Sequence, residues 1–352
     1  MKKIFLTTIA LLSMASATIF GMYGVDTDWI FFLTHGNQFR ARLDQLGFTL
    51  GNDTIKGTFG FDNNAGYGGV YGDLLSTANG GITYDFKPSI SMGLGYTSSL
   101  ISVGVGYNAT IGTDYKGGGK SYNPVAHTPV LVLNAMDNAF RMAIPIQVYA
   151  DGNTNAVSVD SQFRYYTGLD MFPEIRLYLR YGSFTTKTGG VTSKEGESFG
   201  FDFRLYFGSM VEEVALKPYV KLVYNGALGK YHDNTRVEAV KVMKKQQSGS
   251  LTIFAKNAWI LNLVAGLGLS ANSDIVSLYL EPSLGLKVNQ AGSADKNAKE
   301  TYGLGYDVYA EIYITPLKNL EWYFEASIGN LDNTKGVSFA SSTGITWYLP
   351  AL

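Results

Sequence analysis

The strongest constraint on the fold of this chain is an alternation of apolar and polar side chains that recurs along most of its length. Between Phe199 and Phe207 every second residue is large and apolar, and the residues in between are Gly, Asp, Arg and Tyr. Successive side chains of a β-strand point to opposite faces, whereas a helix would scatter this pattern around its circumference. The same alternation runs through Ile82–Tyr96, Ile101–Tyr107, Ile175–Tyr181, Trp259–Leu269, Tyr302–Ile314, Leu320–Ile328 and Val337–Leu349. The pattern predicts an all-β protein.

Two features of these strands favour an antiparallel transmembrane β-barrel over a soluble β-sandwich. Many strands have about ten residues or more, the length that a tilted strand needs to cross a bilayer, whereas soluble strands are usually nearer five or six. Aromatic residues also lie near strand ends, where an interfacial girdle places them: Tyr181, Phe207, Tyr224, Trp322 and Trp347. After the N-terminus no apolar segment is long and pure enough for a spanning helix, so strands must do the crossing.

The first residues have the layout of a secretory signal peptide. Two lysines precede an apolar run from Ile4 to Met14, and small residues follow up to Ala17. The run is too short to span a bilayer as a helix. Cleavage after Ala17 and cleavage after Gly21 both fit the pattern, and an uncleaved anchor is the alternative.

Composition excludes several kinds of site and partner. The chain has no Cys, which rules out disulfides, thiolate metal sites and a lipidated N-terminal Cys. Lys and Arg total 28 and Asp and Glu total 29, so there is no net basic field. Charge therefore gives no support to a nucleic-acid partner.

Connectors between the predicted strands alternate between short and long, which indicates an orientation. Outer-membrane barrels have short periplasmic turns and long extracellular loops. The short connectors are Ser98–Ser99, Asp137–Asn138, Leu169–Phe172, Ala271–Ser273 and Thr315–Leu317. The long connectors are rich in Gly, Asn, Asp and Lys, as exposed loops are: Asn63–Gly80, Ile111–Ala126, Thr186–Glu197, Gly226–Gly249 and Gln290–Glu300.

The pattern predicts fourteen strands, within a range of 12–16, and this even number returns the chain to the periplasmic side. The strands are 54–62, 81–97, 100–110, 127–135, 139–150, 156–167, 174–185, 198–208, 215–225, 257–270, 274–289, 301–314, 318–329 and 336–349. The barrel accordingly occupies residues 54–352.

Segment 39–50 is ambiguous, because as one strand it would make the count odd. Either it lies outside the wall, or it pairs with Trp29–Leu33 and brings the total to sixteen. Rough helical spacing favours the first option, and the residues that show it are Trp29, Phe32, Leu33, Gly36, Phe39, Leu43 and Leu46. We therefore assign residues 22–53 to an N-terminal plug or periplasmic segment, with two extra strands as the alternative.

The polar residues between the apolar ones are predicted to face the lumen, and their charges separate into two arcs. Strands 139–150 to 215–225 carry Arg141, Arg164, Arg176, Arg180, Arg204, Lys217 and Lys221 against Asp160, Glu174 and Asp202. Strands 274–289 to 318–329 carry Glu281, Asp307, Glu311, Glu321 and Glu325 against Lys287. In a fourteen-strand cylinder the arcs lie roughly opposite each other, as in a water-filled pore whose charged rings set selectivity. The alternative is a polar interior whose charges pair across neighbouring strands.

Four glycines alternate inside predicted strands: Gly104, Gly106, Gly266 and Gly268. Glycine in a strand often marks a bend or the close approach of another group. We predict that these positions thin the lumen face or allow curvature and close approach.

Candidate chemistry is sparse. His35, His127 and His232 have no second ligand at metal-binding spacing. An outer-membrane hydrolase needs His beside a nucleophile or Asp, and no residue near His127 supplies one. We expect no enzyme, no cofactor and no metal site.

The connector Gly226–Gly249 is the most basic loop, with five cations against Asp233 and Glu238. The cations are Lys230, Arg236, Lys241, Lys244 and Lys245. Such a loop attracts acidic glycans in an adhesin, but the simpler interpretation is a solvated face.

Residues Thr34–Phe48, with the sequence THGNQFRARLDQLGF, and the preceding Met22-Tyr23-Gly24 resemble the variable surface proteins of the intestinal spirochaete Brachyspira. The specific match covers the N-terminal part, and the rest agrees mainly in style and length. The resemblance implies cleavage after Gly21, which makes residues 1–21 the signal peptide. It also implies a surface-exposed, antigenically variable protein in contact with outer-membrane lipid, exposed to host immune recognition and assembled with copies of itself or related surface proteins.

Three functions follow as expectations. The first is a major surface antigen of the outer membrane that also has general diffusion-pore activity. The second is a dedicated solute channel without a role in antigenic variation. The third is an outer-membrane adhesin or enzyme, which has the least support.

Overall fold

The computed structural model describes residues 23, 27–42, 45–63, 88–112, 115–117, 120–211, 214–229, 234–244, 254–330 and 337–350. Within these residues the chain forms one antiparallel sheet that closes into a barrel with sixteen wall strands. The strands are β1 (Gln38–Arg42), β2 (Gln45–Gly51), β3 (Ile55–Asn63), β4 (Pro88–Tyr96), β5 (Ile101–Ile111), β6 (Val125–Ala135), β7 (Phe140–Ala150), β8 (Thr154–Tyr166), β9 (Glu174–Thr188), β10 (Val191–Tyr206), β11 (Val214–Ala227), β12 (Trp259–Asn272), β13 (Val276–Gln290), β14 (Thr301–Leu317), β15 (Leu320–Gly329) and β16 (Ser338–Tyr348).

Each wall strand pairs with its neighbours in sequence, and β1 closes the barrel by pairing with both β16 and β2. The segment Ser209–Val211 continues β10 beyond a short break and pairs with β11. Closure removes the unpaired strand edges that a membrane interior cannot satisfy. The all-β antiparallel barrel expected from the sequence is confirmed.

Burial alternates along the wall strands, so the two faces of the barrel meet different surroundings. On β6, buried Thr128, Val130 and Val132 alternate with exposed Pro129 and Leu131. Large apolar side chains stay exposed on the outer face, as Leu263 does with 54% of its surface accessible. Such a face suits contact with lipid rather than water.

The strand count is sixteen, which lies within the expected range of 12–16 and equals the alternative with two extra strands, because Gln38–Arg42 and Gln45–Gly51 form β1 and β2. The described wall therefore begins at residue 38 rather than 54, and residues 23 and 27–37 are the described part of 22–53 that precedes it. The pairing of Trp29–Leu33 with 39–50 is also wrong, because Thr27–Phe31 is a 3-10 helix and Gln38–Arg42 pairs with β16 and β2. Strands β1 and β2 have five and seven residues, which is too few to show the alternation expected of a membrane-spanning strand. Residues 1–21 lie outside the described residues.

The two ends of the barrel differ in their connectors. Those at one end are short, at 52–54, 97–100, 136–139, 167–173, 273–275 and 318–319. Those at the other end include the longer 112–124, 228–258 and 291–300, with a small hairpin of Tyr115–Gly117 and Lys120–Tyr122 in the first. We call these the short-turn end and the long-loop end.

The connector predicted at Thr186–Glu197 is not a loop, because β9 and β10 continue through it to a two-residue turn. Gly189 and Gly190 form this turn with φ values of 58° and 86°. Two consecutive positive φ angles match the twist of a hairpin, and glycine adopts them without strain. The result is a hairpin that is longer than the sequence pattern indicated.

Two segments lie inside the barrel. The N-terminal plug, residues 27–37, contains the 3-10 helix, and its apolar side chains pack against β6 and β7. The inward loop, residues 234–244, contains helix α1 (Ala239–Lys244) and packs against β6, β7, β8 and β9. In the part of the chain that the structure describes, no helix has the length and apolar character needed to cross a bilayer.

Candidate functional site

The candidate site is the barrel lumen, and the structure places all twelve charged residues of the sequence prediction at inward-facing positions of the wall. The cations on β7–β11 are Arg141, Arg164, Arg176, Arg180, Arg204, Lys217 and Lys221. The carboxylates on β13–β15 are Glu281, Asp307, Glu311, Glu321 and Glu325. We call these sets the basic arc and the acidic arc.

The two arcs do not lie opposite each other. Their central strands, β9 and β14, are five strands apart in the wall of sixteen, and β1 and β2 extend the far side. Between them stands β12, whose inward positions from Asn262 to Ser270 are uncharged. The arcs therefore face each other at an angle across one sector of the lumen.

The three carboxylates on β8–β10 each contact two cations. Glu174, whose side chain is fully buried, accepts hydrogen bonds from Arg176 at 2.5 Å and from Lys217 at 2.6 Å. The other two repeat the arrangement: Asp160 contacts Arg180 at 3.2 Å and Arg236 at 2.6 Å, and Asp202 contacts Arg204 at 2.8 Å and Lys221 at 4.0 Å. Since each carboxylate is shared by two cations, the basic arc keeps an excess of positive charge.

In the acidic arc, Glu281, Glu311 and Glu325 are held by phenols. Tyr219 and Tyr279 both donate hydrogen bonds to Glu281, the first at 2.9 Å. The hydroxyl of Tyr309 lies within hydrogen-bond distance of both Glu311 and Glu325. A neutral hydrogen bond stabilises a carboxylate without cancelling its charge. The carboxyl contacts described for the acidic arc are therefore with phenols, whereas those of the basic arc are with cations.

Two inward cations were missed by the sequence analysis because their strand was placed outside the wall. Arg40 and Arg42 lie on β1, and the guanidinium of Arg42 stacks 3.9 Å from the ring centroid of Tyr323. The apolar residues Phe39 and Ala41 alternate with these arginines, but the alternation is too short to predict a wall strand. These arginines place positive charge beside the far edge of the acidic arc.

The N-terminal plug fits the wall through glycines. A Cβ at Gly93 or Gly106 would lie 2.7 Å or 2.4 Å from the indole of Trp29. A Cβ at Gly104 would lie 3.1 Å from both Phe32 and Leu33. The prediction that Gly104 and Gly106 allow close approach is confirmed.

On the other side of the lumen, glycines make room for tyrosines. A Cβ at Gly266 would lie 2.2 Å from the ring of Tyr219, and one at Gly268 would lie 2.9 Å from the hydroxyl oxygen of Tyr279. The prediction for Gly266 and Gly268 is confirmed as well. These contacts position the two phenols that hold Glu281.

Polar contacts anchor the plug to the wall. The indole N–H of Trp29 donates to Asn108 at 3.1 Å, and Asn108 donates to the carbonyl of Tyr23 at 2.8 Å. Lys56 donates to the carbonyls of Leu33 at 3.0 Å and His35 at 2.5 Å. The plug is therefore held by β3 and β5 as well as by its apolar packing.

His35 lies at the end of the plug, 2.9 Å from the hydroxyl of Tyr23. Burial lowers the pKa of His35 well below its usual 6.5, and the positive charges of Arg40 and Lys56 lower it further. Burial likewise raises the pKa of Tyr23. Both side chains are neutral near pH 7, so the plug introduces no charge at this point.

The inward loop replaces the solvated basic loop expected at Gly226–Gly249. Its backbone N–H groups are bound by wall side chains: Val237 donates to Ser198 at 2.7 Å, Ala239 to Ser158 at 2.9 Å and Val240 to Gln147 at 3.2 Å. Apolar side chains of the loop pack on wall residues Ala126, Tyr149, Ala156 and Phe184. Its apolar residues were the overlooked signal, namely Val237, Ala239, Val240, Val242 and Met243.

The charges of this loop are used in ion pairs. Arg236 contacts Asp160 on β8 and Glu238 in the loop, at 2.6 Å and 2.7 Å. Burial opposes ionisation of Glu238, but Arg236 and Lys241 outweigh it and lower the pKa of this carboxyl. Lys230 and Lys245 lie outside the described residues, and Lys244 is in α1.

The remaining candidate ligands are dispersed. His127 faces outward on β6 and lies 2.5 Å from the hydroxyl of Tyr107, whereas His232 lies outside the described residues. Within the described ranges, no group of three or more His, Asp or Glu side chains is placed to hold a metal ion.

Comparison with known proteins gives matches to solved structures and to a protein family. Solved structures with similar folds include a bacterial polysaccharide outer membrane secretin, at 8% identity over 90% of this chain and 97% of that chain, with a TM-score of 0.47. The outer membrane channel DcaP of Acinetobacter baumannii is similar at 8% identity over 88% and 93%, with a TM-score of 0.36. A loop-deletion mutant of OmpT from Vibrio cholerae is similar at 10% identity over 89% and 96%, with a TM-score of 0.32.

No curated protein matches the sequence. A family model described as Serpulina hyodysenteriae variable surface protein matches residues 2–348, which confirms the resemblance stated for the N-terminal segment. The chain is therefore an outer-membrane β-barrel that belongs to the variable surface protein family.

Proposed function

We propose that the protein is a surface antigen of the outer membrane and that its long-loop end is the displayed end. The observation that carries this proposal is the β9–β10 hairpin. Residues 189–194 of this hairpin are all exposed, so both faces of the hairpin are open to solvent at its tip. Thr301–Leu304 at the start of β14 is exposed on both faces in the same way. A strand segment that is exposed on both faces contacts neither lipid nor the packed lumen, which suits a position in water outside the membrane.

An epitope tag tests the orientation. Inserted between Gly189 and Gly190, the tag should be labelled by antibody on intact cells. A matched tag between Lys318 and Asn319, in a turn at the short-turn end, should be labelled only after permeabilisation. Labelling of the second tag alone on intact cells would reverse the orientation and overturn the proposal.

We also propose that the barrel conducts small solutes through a narrowed passage. The plug and the inward loop both pack on the β6–β9 side, and the charged sector between β10 and β15 supplies the polar lining that a passage needs. Purified, folded protein should give discrete conductance steps in planar bilayers. Folded protein that inserts without any steps would remove this proposal and leave the antigen proposal standing.

The partners of the proposed antigen are outer-membrane lipid, copies of this chain or related surface proteins, and host antibodies. The exposed apolar outer face supports the lipid contact. Cross-linking of intact cells followed by mass spectrometry should recover a homo-oligomer or hetero-oligomer with related proteins. We propose no enzymatic activity, and the adhesin alternative is weakened because Arg236 and Glu238 pair within the lumen.

A further inference from the structure

Five cations form a continuous row across the inner wall at the short-turn end. Arg141 on β7, Arg164 on β8 and Arg176 on β9 are direct Cα partners, and the row continues through Arg204 on β10 to Lys221 on β11. Side chains at such positions have Cβ atoms about 5 Å apart, and like charges directly opposite destabilise a sheet. A row of this kind therefore needs compensating negative charge.

Protein carboxylates balance the positive charge of only part of this row. Arg176 is paired with Glu174, and both Arg204 and Lys221 contact Asp202. Arg141 and Arg164 form no ion pair within the part of the chain that the structure describes. The uncompensated charge is thus concentrated at two neighbouring arginines.

The contacts of these two arginines are neutral. Arg141 donates to the carbonyl of Asn138 at 3.2 Å and to the Thr34 hydroxyl at 3.3 Å, and it stacks on Tyr166 at 4.8 Å. Arg164 lies 4.5 Å from the ring centroid of Phe31. With its side-chain amide reoriented, Gln162 accepts from Nε and Nη2 of Arg164 at 2.6 Å and 2.8 Å.

One nitrogen of Arg164 remains unsatisfied. Arg164 is only 4% exposed, and its Nη1 has no hydrogen-bond partner among the described residues. A buried guanidinium without a counter-charge is costly, and leaving its donor unpaired adds to that cost. Four cations surround the single carboxylate Glu174 in this region, namely Arg141, Arg164, Arg176 and Lys217.

We propose that Arg141 and Arg164 form a binding site for a small oxyanion at the short-turn end of the lumen. A guanidinium presents its donors in a planar fork that matches the oxygens of a phosphate or carboxylate group. The oxyanion would supply the negative charge that no wall carboxylate provides to Arg141 and Arg164. It would also accept a hydrogen bond from Nη1 of Arg164.

Binding at this site is coupled to the plug. The ring of Phe31 covers the Arg164 guanidinium, and Thr34 is bonded to Arg141. Because Nη1 is buried in the docked state, an oxyanion reaches it only when the residues packed around the guanidinium, with the Phe31 ring among them, move aside. Because the plug covers the two arginines, shortening Phe31 should strengthen oxyanion binding.

The test uses the full-length barrel folded in detergent, with inorganic phosphate as the probe. Thermal unfolding is followed by circular dichroism at pH 7.5 while phosphate replaces chloride at constant ionic strength. The wild type should melt about 3 °C higher in phosphate, as expected for a ligand that binds only the folded state. Arg164→Gln should melt higher than the wild type in chloride and lose the phosphate-dependent rise. A parallel series with acetate distinguishes a carboxylate site from a phosphate site.

Arg204→Gln is the matched control, because Arg204 belongs to the same row but has its own carboxylate, Asp202. This variant should melt lower than the wild type and keep the full phosphate response. Phe31→Ala should reach half of its response at a several-fold lower phosphate concentration. If Arg164→Gln does not fold, Arg141→Gln replaces it with the same expected loss.

Two results would overturn the proposal. The first is a wild type that does not respond to phosphate or acetate at constant ionic strength. The second is a response of unchanged size in both arginine variants. Neither measurement depends on conductance or surface display, so a failure here is distinguishable from a failure of the proposed functions.

Discussion

The indole of Trp29 lies directly on the backbone of Gly106, so close that a Cβ at Gly106 would be 2.4 Å from the ring. This contact joins the N-terminal plug to β5 and depends on the absence of a side chain. We therefore expect Gly106→Leu to weaken docking of the plug by about 1–3 kcal/mol, because the added atoms must displace the indole. The barrel itself should still close, since backbone pairing of β5 is unchanged.

Acrylamide quenching of Trp29 measures this effect in a background that lacks the other tryptophans through Trp259→Phe, Trp322→Phe and Trp347→Phe. Quenching should increase in Gly106→Leu. Gly57→Leu is the control, because a Cβ at Gly57 would meet only the carbonyl oxygen of Gly93, at 3.9 Å. Equal quenching in the two variants would contradict the role of Gly106.

Docking of the plug should also depend on pH through His35. Its pKa lies well below 6.5 in the docked plug because of burial and the positive charges of Arg40 and Lys56. A released plug takes up a proton below pH 6.5, whereas the docked plug resists it. Docking is therefore fully stable above pH 6.5 and weakens as the pH falls, by up to about 1.4 kcal/mol per pH unit.

Hydrogen exchange of peptides that cover residues 27–37 checks this prediction at pH 7.5 and pH 5.5 after correction for intrinsic exchange rates. Protection should decrease at pH 5.5 in the wild type. His35→Gln keeps a hydrogen-bonding group near Tyr23 but cannot be protonated in this range, so its protection should stay constant. The same loss of protection in this variant would assign the pH dependence to another group.

The inward loop should open when its ion pair with the wall is removed. Asp160 accepts from Arg236 at 2.6 Å and from Arg180 at 3.2 Å. Asp160→Asn removes the negative charge of the carboxylate from both partly buried arginines. We expect a cost of about 1–2 kcal/mol, which is a factor of 5–30 in the open population.

Tryptic cleavage after Arg236 reports the open population. The rate should rise about 5–30-fold in Asp160→Asn. Asp202→Asn removes a carboxylate from a neighbouring strand, and within the described residues Asp202 pairs with Arg204 and Lys221 and not with the loop. An equal rise in that control would show that general loosening of the barrel, rather than the loop contact, exposes the site.

If the lumen conducts, its two arcs should act on ion selectivity in opposite directions. Glu311 and Glu325 are direct Cα partners on β14 and β15, and replacing both with Gln removes negative charge from one place. Replacing Lys217 and Lys221 with Gln removes two positive charges from β11, in the sector of the proposed passage. The first change should favour anions and the second cations, each by about twofold or more at low salt, where screening is weak.

Reversal potentials across a tenfold KCl gradient give the permeability ratio for each variant. Shifts of opposite sign support a passage that is exposed to both arcs. Shifts of the same sign, or none, would mean that the ions do not pass between the arcs.

The boundary between lipid and water should be visible in two exposed apolar residues. Leu263 on β12 is 54% exposed and Val191 at the tip of the β9–β10 hairpin is 67% exposed. Leu263→Arg places a charge in the apolar band and should cost about 2–4 kcal/mol. Val191→Arg should stay within about 0.5 kcal/mol, because the hairpin tip is in water.

Denaturant unfolding of the barrel in lipid vesicles measures both costs. A small cost for Leu263→Arg would contradict the lipid-facing assignment of the outer wall. A large cost for Val191→Arg would place the hairpin tip inside the bilayer and remove the main support for its display at the surface.

Long strands were readable from the sequence because their alternation is local. The segment predicted at 100–110 is shifted by one residue from β5, and the segment predicted at 139–150 differs from β7 by one residue at its start. The inward direction of residues such as Arg176 and Glu311 followed from the same period of two. The short strands β1 and β2 were not readable, because five and seven residues show too little alternation and their place is set by pairing with β16 and β3.

The contacts inside the barrel could also be predicted only in part from the sequence. The positions of Gly104 and Gly106 indicated a close approach, but the group that approaches, Trp29, is more than seventy residues away in sequence. The loop that carries Arg236 has the composition of a solvated loop, and its inward path depends on Ser158 and Ser198 of the wall. Such contacts join distant segments, and local composition does not encode them.

The sequence by itself determined that strands with one apolar face make the wall and which side of each strand carries the charges, because period-two alternation is a property of neighbouring residues. Only the tertiary structure decided the number of strands, the angle between the two arcs and the partner of each charge. Those features arise when the barrel closes, since closure sets the register that brings residues from separate strands and from the two inner segments into contact.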